Sequence, residues 1–118
     1  MRYILLIYED ESAWGAEKDG PSLEATVAEH MALARDLGPR LVAGAGLKET
    51  DTATTLRVSG GSHSVHDGPF AETKEQLGGF YLVDVADLDA ALEIARRIPM
   101  PHGGSVEVRP VLGADDAA

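Results

Sequence analysis

The order of segments along the chain predicts an α+β fold with an antiparallel sheet. Strand-like and helix-like stretches follow one another as β-α-β, then a β-hairpin, then β-α-β again. The chain has 118 residues, of which 44% are hydrophobic and 25% charged, which is typical of a single compact domain covering residues 1–118. It contains no run of about 18 apolar residues, so no membrane-spanning segment is expected.

The first half of the chain supplies a strand, a helix and a second strand. Residues 3–8 (YILLIY) form an apolar run that acidic residues end, and residues 9–20 are polar and loop-like. A helix is predicted from Pro21-Ser22, with Ser22 as its N-cap, to Gly38-Pro39. Its predicted buried face carries Leu23, Val27, Ala34 and Leu37. Residues 40–47 (RLVAGAGL) predict the second strand, with close backbone approach or a bulge at its glycines.

The second half begins with a hairpin and repeats the strand–helix–strand order. Residues 53–58 and 63–66 flank SGGS and predict a β-hairpin. Thr73 and Gln76 have the spacing of a capping box, which predicts a short helical turn. Residues 80–85 and 105–109 predict two further strands. Between them Asp87 caps a helix that Pro99 ends, with a predicted buried stripe of Leu88, Ala91, Leu92, Ala95 and Ile98.

Without the hairpin, this order is that of a ferredoxin-like split β-α-β plait, so we predict such a plait with an inserted β-hairpin. Two helices can cover only one face of its four-stranded sheet. In the first strand, however, both alternating sets of side chains are apolar: Tyr3, Leu5 and Ile7 on one face, Ile4, Leu6 and Tyr8 on the other. Strands of this kind belong in a sheet buried on both sides. A homodimer through the open sheet face is therefore expected.

Composition excludes several classes of function. Twenty acidic against ten basic residues give a net charge of −10, which disfavours direct contact with nucleic acid. The absence of cysteine excludes a disulfide framework, and the short apolar start lacks a signal-peptide cleavage pattern, so a cytoplasmic protein is expected. No nucleotide-binding glycine motif or serine-hydrolase elbow occurs, and we predict no cofactor. His63 and His66 would point to opposite faces of a strand, so no metal site is predicted.

Among single residues, His30 is the strongest candidate for chemistry. Helical spacing places it on the apolar stripe of the first helix, directed at the sheet. Two interpretations remain open. His30 is either a hydrogen-bonded core histidine or a partly buried general acid or base, because small shifts move an imidazole through neutral pH.

The segment DGPFAETKE, residues 67–75, is the second candidate, because it places Asp67, Glu72, Lys74 and Glu75 around a rigid Gly-Pro turn. Turn formation and helix capping would also account for most of it. Arg109 lies with Glu107 on the polar face of the last strand, where it would form an ion pair or bind an anionic ligand. His102 lies in a loop and is expected to be solvated.

The stretch DGPFAETKEQLGGFYLVDV closely resembles the signature of the YCII-related family, in its DGPF-domain branch. The resemblance extends to YILLIYEDESAW, LVAGAGL, TATTLRV and GGSVEVRPV, nearly the whole chain. It implies a dimeric α+β barrel of ferredoxin-like units, and an enzymatic activity attributed to a shared histidine and aspartate. The histidine matches His30. The position of the aspartate holds Ile98, before Pro99, so Asp67 is the predicted replacement.

These observations favour a small, cofactor-independent acid–base enzyme, lyase-like or isomerase-like, acting on a small polar or anionic molecule. His30 and Asp67 are its predicted catalytic residues, and the predicted substrate-binding residues are Phe70, Glu72, Lys74 and Arg109. The alternative is a non-catalytic protein that binds a small ligand or regulates a partner. For that alternative, the family resemblance implies an association with sigma-factor-dependent transcription.

Overall fold

A computed structural model describes residues 1–14 and 21–113, with only the backbone described at residues 21 and 22. The strands and α-helices, in chain order, are β1 (Arg2–Glu9), α1 (Pro21–Leu37), β2 (Leu41–Gly46), β3 (Thr54–Ser59), β4 (Ser62–Asp67), β5 (Gln76–Asp84), α2 (Leu88–Arg96) and β6 (Ser105–Pro110). Short 3₁₀ turns lie at Glu11–Ala13, Gly38–Arg40 and Thr50–Thr52. In this part of the chain, no helix has the length and apolar composition needed to cross a membrane.

Four of the described strands form one sheet in the order β2-β5-β1-β6, and β3 pairs with β4 in a separate two-stranded sheet. The pairings β1–β5, β1–β6, β2–β5 and β3–β4 are all antiparallel. The α+β class and the inserted hairpin are thereby confirmed. The hairpin strands lie within one residue of the predicted segments at each end.

The core lies between the main sheet and the two described α-helices. Alternation along β1 directs Tyr3, Leu5 and Ile7 to the helix side, where all three are buried. Their core neighbours are Leu33, Leu37, Tyr81, Val83, Ala91, Ile94 and Ile98. Each fully buried aliphatic side chain of this kind contributes roughly 1.5–3 kcal/mol to folding, so this set of residues dominates the stability of the fold.

The buried stripe of α1 differs from the prediction. Leu33 and Leu37, one turn apart, are buried together with Thr26, whereas Val27 is 47% exposed. Ala34 is only half-buried. The helix is thus rotated so that the row ending in Leu33 and Leu37 meets the sheet, and the neighbouring row opens to solvent. The predicted N-cap Ser22 lies inside the helix, which begins at Pro21.

In α2 the predicted N-cap is confirmed, because the Asp87 carboxylate accepts a hydrogen bond from the backbone N–H of Ala90. The buried residues are Ala91, Ile94 and, just beyond the helix, Ile98. Leu88, predicted to be buried, is 48% exposed. The stripe therefore begins one turn later than the spacing of apolar residues indicated.

The helical turn predicted at Thr73 is wrong. The Thr73 hydroxyl donates to the carbonyl of Glu75, and Gln76 is already the first residue of β5. The Gln76 side-chain oxygen accepts from the backbone N–H of Glu11, at 2.8 Å. Gln76 therefore connects the end of the DGPF segment to the loop after β1 by a hydrogen bond, and no helix begins here. Side-chain hydrogen bonds of this kind compete with helix formation.

On the second face of the sheet, Ile4 and Leu6 lie directly opposite Leu82 and Phe80 of the neighbouring strand. All four side chains are partly exposed, whereas both described α-helices contribute to the core on the other side. This face therefore presents a band of apolar side chains across the two central strands.

Candidate functional site

A cavity of about 300 Å³ lies between α1 and the edge of the sheet formed by β2, β5 and β1, and it opens to solvent. Most of the described lining residues are apolar or glycine, and three have polar side chains, Glu9, His30 and Tyr81. The full described lining consists of Ile7, Glu9, Val27, His30, Met31, Ala34, Leu41, Gly44, Ala45, Gly46, Gly78, Gly79 and Tyr81. The outward row of α1, with Val27 and Met31, forms one wall. The volume and composition are those of a site for a small organic molecule.

On the sheet side of the cavity, Gly44 of β2 allows close packing by Tyr81. A Cβ atom at Gly44 would lie 3.0 Å from Cδ1 of Tyr81 and 3.2 Å from the Phe80 carbonyl oxygen. The absence of a side chain lets the Tyr81 ring lie against β2, and close approach is one of the two alternatives that the glycines of this strand predicted, the other being a bulge. Tyr81 is 8% exposed, so the ring is fixed by its neighbours.

His30 and Tyr81 form the polar centre of the cavity. Nδ1 of His30 lies 2.6 Å from the phenolic oxygen of Tyr81, and the two rings meet edge to face with centroids 5.8 Å apart. Helix α1 carries His30 toward the sheet, and alternation along β5 directs Tyr81 toward the helices. The two residues are 51 positions apart in the sequence, and the fold brings them together.

Burial sets the protonation of this pair. It lowers the pKa of His30, an effect that the charge of Glu29 and a backbone hydrogen bond to Pro99 partly oppose. Burial also raises the pKa of Tyr81. Both shifts favour the uncharged forms. Between a neutral imidazole and a neutral phenol, the tautomer of His30 decides the direction of this hydrogen bond: Nδ1 accepts from the phenol when the ring N–H is on Nε2, and it donates to the phenolic oxygen when the N–H is on Nδ1.

Glu9, one of the acidic residues that end the predicted first strand, is the third polar side chain of the cavity lining. Its Oε2 atom is buried and has no hydrogen-bond partner in the described part of the chain. Burial raises the pKa of Glu9, and a hydrogen bond from the Trp14 side chain and the charge of His102 partly oppose that rise. The alternation that buries Tyr3, Leu5 and Ile7 continues to Glu9, and this signal could have identified it.

Trp14 and His102, both in segments outside the strands, lie beside the Glu9 carboxyl. Their rings meet edge to face with centroids 4.6 Å apart. His102, predicted to be a solvated loop residue, is exposed but contacts Trp14 in this way. The loop before β6 and the turn after β1 thus meet beside the Glu9 carboxyl.

The structure does not bring Asp67 and Phe70 to the described lining of this cavity. Asp67 ends β4, opposite Thr54, in the separate two-stranded sheet, and its side chain is exposed. Phe70 is 72% exposed, and its carbonyl oxygen accepts a hydrogen bond from Arg57, at 2.6 Å. Residues 67–70 instead close the β3–β4 hairpin, since the Gly68 N–H donates a hydrogen bond to the Ala53 carbonyl at 2.7 Å.

Glu72 and Lys74 are exposed in the same segment and do not belong to the described lining. Arg109 forms an ion pair with Glu107 on β6, one of the two roles left open for it, and this pair raises the pKa of the guanidinium. Register places both residues opposite Ile4 and Leu6, on the sheet face away from the cavity. The catalytic role of Asp67 and the binding roles of these residues stay predictions.

Residues 1–14 and 21–113 contain no cluster of three or more histidine or acidic side chains arranged to hold a metal ion. His63 and His66, considered above as a metal pair, lie opposite Val58 and Thr55 in the hairpin, three positions apart on one strand. The polar side chains in the described cavity lining are those of His30, Tyr81 and Glu9.

The fold and site define a small α+β protein with a mostly apolar cavity and a histidine–tyrosine pair in its wall. Comparison with known sequences agrees with the resemblance seen in the DGPF segment. The YCII-related domain matches residues 1–114, and the chain belongs to that family. An uncharacterized protein of Rhizobium meliloti (strain 1021) is 48% identical over an alignment of 118 positions, which covers 94% of this chain and 92% of that protein.

Proposed function

We propose that the protein is an acid–base enzyme that moves a proton on a small organic molecule bound in the cavity, in the manner of a lyase or an isomerase. The observation that carries this proposal is the 2.6 Å hydrogen bond between His30 and Tyr81 in the wall of a cavity of about 300 Å³. A neutral imidazole in a partly buried site is a suitable proton acceptor at neutral pH.

The pair acts as a relay, with His30 in the tautomer that carries its N–H on Nε2 and leaves Nδ1 free to accept a proton. The C–H bond next to a carbonyl of the substrate breaks, its proton passes to the Tyr81 oxygen, and the phenolic proton moves to Nδ1 of His30. The electron pair stays on the substrate as an enolate, so the products of the step are an imidazolium, a neutral phenol and the enolate. The reverse transfer returns a proton to the same or a neighbouring carbon, which gives exchange or isomerisation.

The finer features of the fold belong to the same proposal. Strand order β2-β5-β1-β6, with a helix after β1 and another after β5, supports a ferredoxin-like plait. The apolar band on the second face supports a homodimer. Residues 67–70 support placement in the DGPF-domain branch.

Proton abstraction can be tested without knowing the final product, because lyases and isomerases of this kind share the step. A panel of small ketones and aldehydes is incubated in D₂O, and loss of the C–H signal is followed by proton NMR. We expect exchange with the wild type, and a decrease of about 10²-fold or more with His30→Ala or Tyr81→Phe.

Gly46→Val provides a control for location, since a Cβ at Gly46 meets no atom within 4 Å and the added methyl groups extend into the cavity lining. Exchange should fall in this variant as well, with the fold retained. Exchange that His30→Ala leaves unchanged would contradict the proposal. Compounds that bind in the cavity without any exchange would favour the non-catalytic alternative.

A further inference from the structure

The β3–β4 hairpin has one apolar face and one polar face. Alternation along the strands and their register place Leu56, Val58 and Val65 on the same face, with Leu56 directly opposite Val65. The other face carries polar side chains, Thr55 and Arg57 among them. An antiparallel pair with this pattern ordinarily packs its apolar face on a core and turns its polar face to solvent.

The described part of the chain shows the reverse arrangement. Leu56, Val58 and Val65 are 55%, 65% and 67% exposed. The segment after the hairpin contacts the polar face instead. There the Thr55 hydroxyl donates to the Gly68 carbonyl at 2.7 Å, and the Arg57 guanidinium donates to the Phe70 carbonyl at 2.6 Å. The chain thus contacts the polar face of its own hairpin and leaves the apolar face open.

A hairpin with an open apolar face needs a partner. A single two-stranded hairpin is only marginally stable in water, and it gains stability when its apolar face packs on another surface. Eleven of the twelve residues in β3 and β4 are exposed, and Thr55, on the polar face, is the exception. Adjacent exposed apolar side chains of this kind mark an interaction surface.

Charge favours a second copy of this chain as the partner. Residues 54–66 contain Arg57 and no acidic residue, whereas the whole chain has a net charge of −10. An acidic protein therefore meets no like charge on these strands, and a second copy is such a protein. One arginine is too few for a nucleic acid or an anionic membrane surface, both of which are bound by clustered cations.

The area that a stable dimer needs points to the same partner. Stable interfaces bury about 800 Å² on each side, from roughly 20–30 residues. The apolar band on the second face of the main sheet has four side chains, all only partly exposed: Ile4, Leu6, Phe80 and Leu82. This band alone is small for a stable dimer. The apolar face of the hairpin adds three well-exposed aliphatic side chains.

We propose that the β3–β4 hairpin is an arm whose apolar face packs on a second copy of this chain. The arm contact comes in addition to the contact through the second face of the main sheet. Two-fold symmetry gives each dimer two such arms. This inference rests on the homodimer of the proposed function and adds a second contact surface to it. It requires no proton transfer by His30.

Two neighbouring substitutions test the arm. Val65→Glu places a carboxylate on the apolar face, and Ser64→Glu places the same charge on the polar face of the same strand. Both positions are exposed, so each variant should fold, which circular dichroism checks. We expect Val65→Glu to raise the dimer dissociation constant by about tenfold or more, because the new charge is buried without a partner. Ser64→Glu should stay within about threefold of the wild type. Sedimentation equilibrium at neutral pH measures all three proteins.

Phe80→Glu separates the arm from the sheet-face contact. A dimer that Phe80→Glu dissociates and Val65→Glu leaves at wild-type strength would overturn the arm and keep the sheet-face contact. Weakening by Val65→Glu but not by Phe80→Glu would support the arm and contradict the sheet-face contact. Equal effects of Val65→Glu and Ser64→Glu would overturn the arm. A monomeric wild type would also overturn it and leave the apolar face to a different protein, while the deuterium exchange expected of His30 would be unaffected.

Discussion

His30 shows how burial controls the chemistry of a single residue. Its imidazole is half-buried against Tyr81, and burial lowers its pKa below the ordinary value of 6.5. The unfolded chain therefore binds a proton at His30 before the folded chain does as pH falls. Stability from this residue is fully present above about pH 6.5 and decreases as pH drops through and below that value.

The lowered pKa of His30 predicts how its replacement changes the pH dependence of stability. Replacing His30 with Gln should flatten the decrease in unfolding free energy between about pH 7 and pH 5 relative to the wild type, because the differential proton uptake is removed. Urea denaturation at several pH values measures it. His66→Gln, at an exposed hairpin position, should leave the wild-type slope intact. Parallel curves for wild type and His30→Gln would show that His30 is not the cause.

The pKa of Glu9 shifts in the opposite direction to that of His30, so its contribution to stability changes with pH in the opposite way. Burial raises its pKa from 4.5, so the folded protein holds a proton there more tightly than the unfolded chain does. Its contribution to stability is present at low pH and is lost as pH rises through the shifted value. Glu9→Gln should therefore be more stable than the wild type near neutral pH, with the difference disappearing in acid. Thermal unfolding across pH checks this, and a variant less stable at neutral pH would contradict the buried-carboxyl argument.

Among elements, the strands and helices were predictable because their periodicity is local. The alternation of β1 and the hairpin flanking SGGS required no knowledge of distant residues, and the Asp87 cap depends only on Ala90 three positions away. The Thr73–Gln76 turn failed because Gln76 bonds to Glu11, 65 positions away. A capping pattern cannot be told from a tertiary contact with the same residue types until the chain is folded.

Local patterns likewise identify only part of the candidate site. His30 was found because it interrupts an apolar helical stripe, whereas its partner Tyr81 lies on a strand read only as apolar. Glu9 was missed because a charged residue at the end of a strand ordinarily marks its exit to solvent. Here the loop containing Gly103 and Gly104 covers it. Which residues border a cavity depends on how loops close, and a single sequence contains little information about that.

The loop before β6 packs so closely on β1 that Gly104 should not tolerate a side chain. Gly104→Ala places a Cβ 2.3 Å from the Tyr8 carbonyl oxygen at a φ of +142°. We expect a loss of about 2–4 kcal/mol in unfolding free energy, because the β6 loop must move away from β1. Gly46→Ala is the control, since its Cβ meets nothing within 4 Å, and should change stability by less than about 1 kcal/mol. Equal effects in urea denaturation would refute the close-packing argument.

The main sheet separates two environments. One face packs on both described α-helices, and the other presents Ile4, Leu6, Phe80 and Leu82 with partial exposure. The Glu107–Arg109 ion pair lies at the β6 edge of that second face, opposite Leu6 and Ile4. An apolar centre with a charged edge matches the anatomy of a protein interface.

A two-fold homodimer through this face is the prediction that follows. Phe80 lies between Leu6 and Ala45 in the register, away from like charges, so Phe80→Glu should leave the monomer folded while placing two carboxylates in the interface. We expect the wild type to sediment at twice the 12.5 kDa chain mass and the variant at the chain mass. Leu88→Glu, 48% exposed on the helix side, should remain dimeric. A wild-type protein that is monomeric at high concentration would refute the dimer, whereas the cavity of His30 and Glu9 would remain, because its described lining comes from one chain.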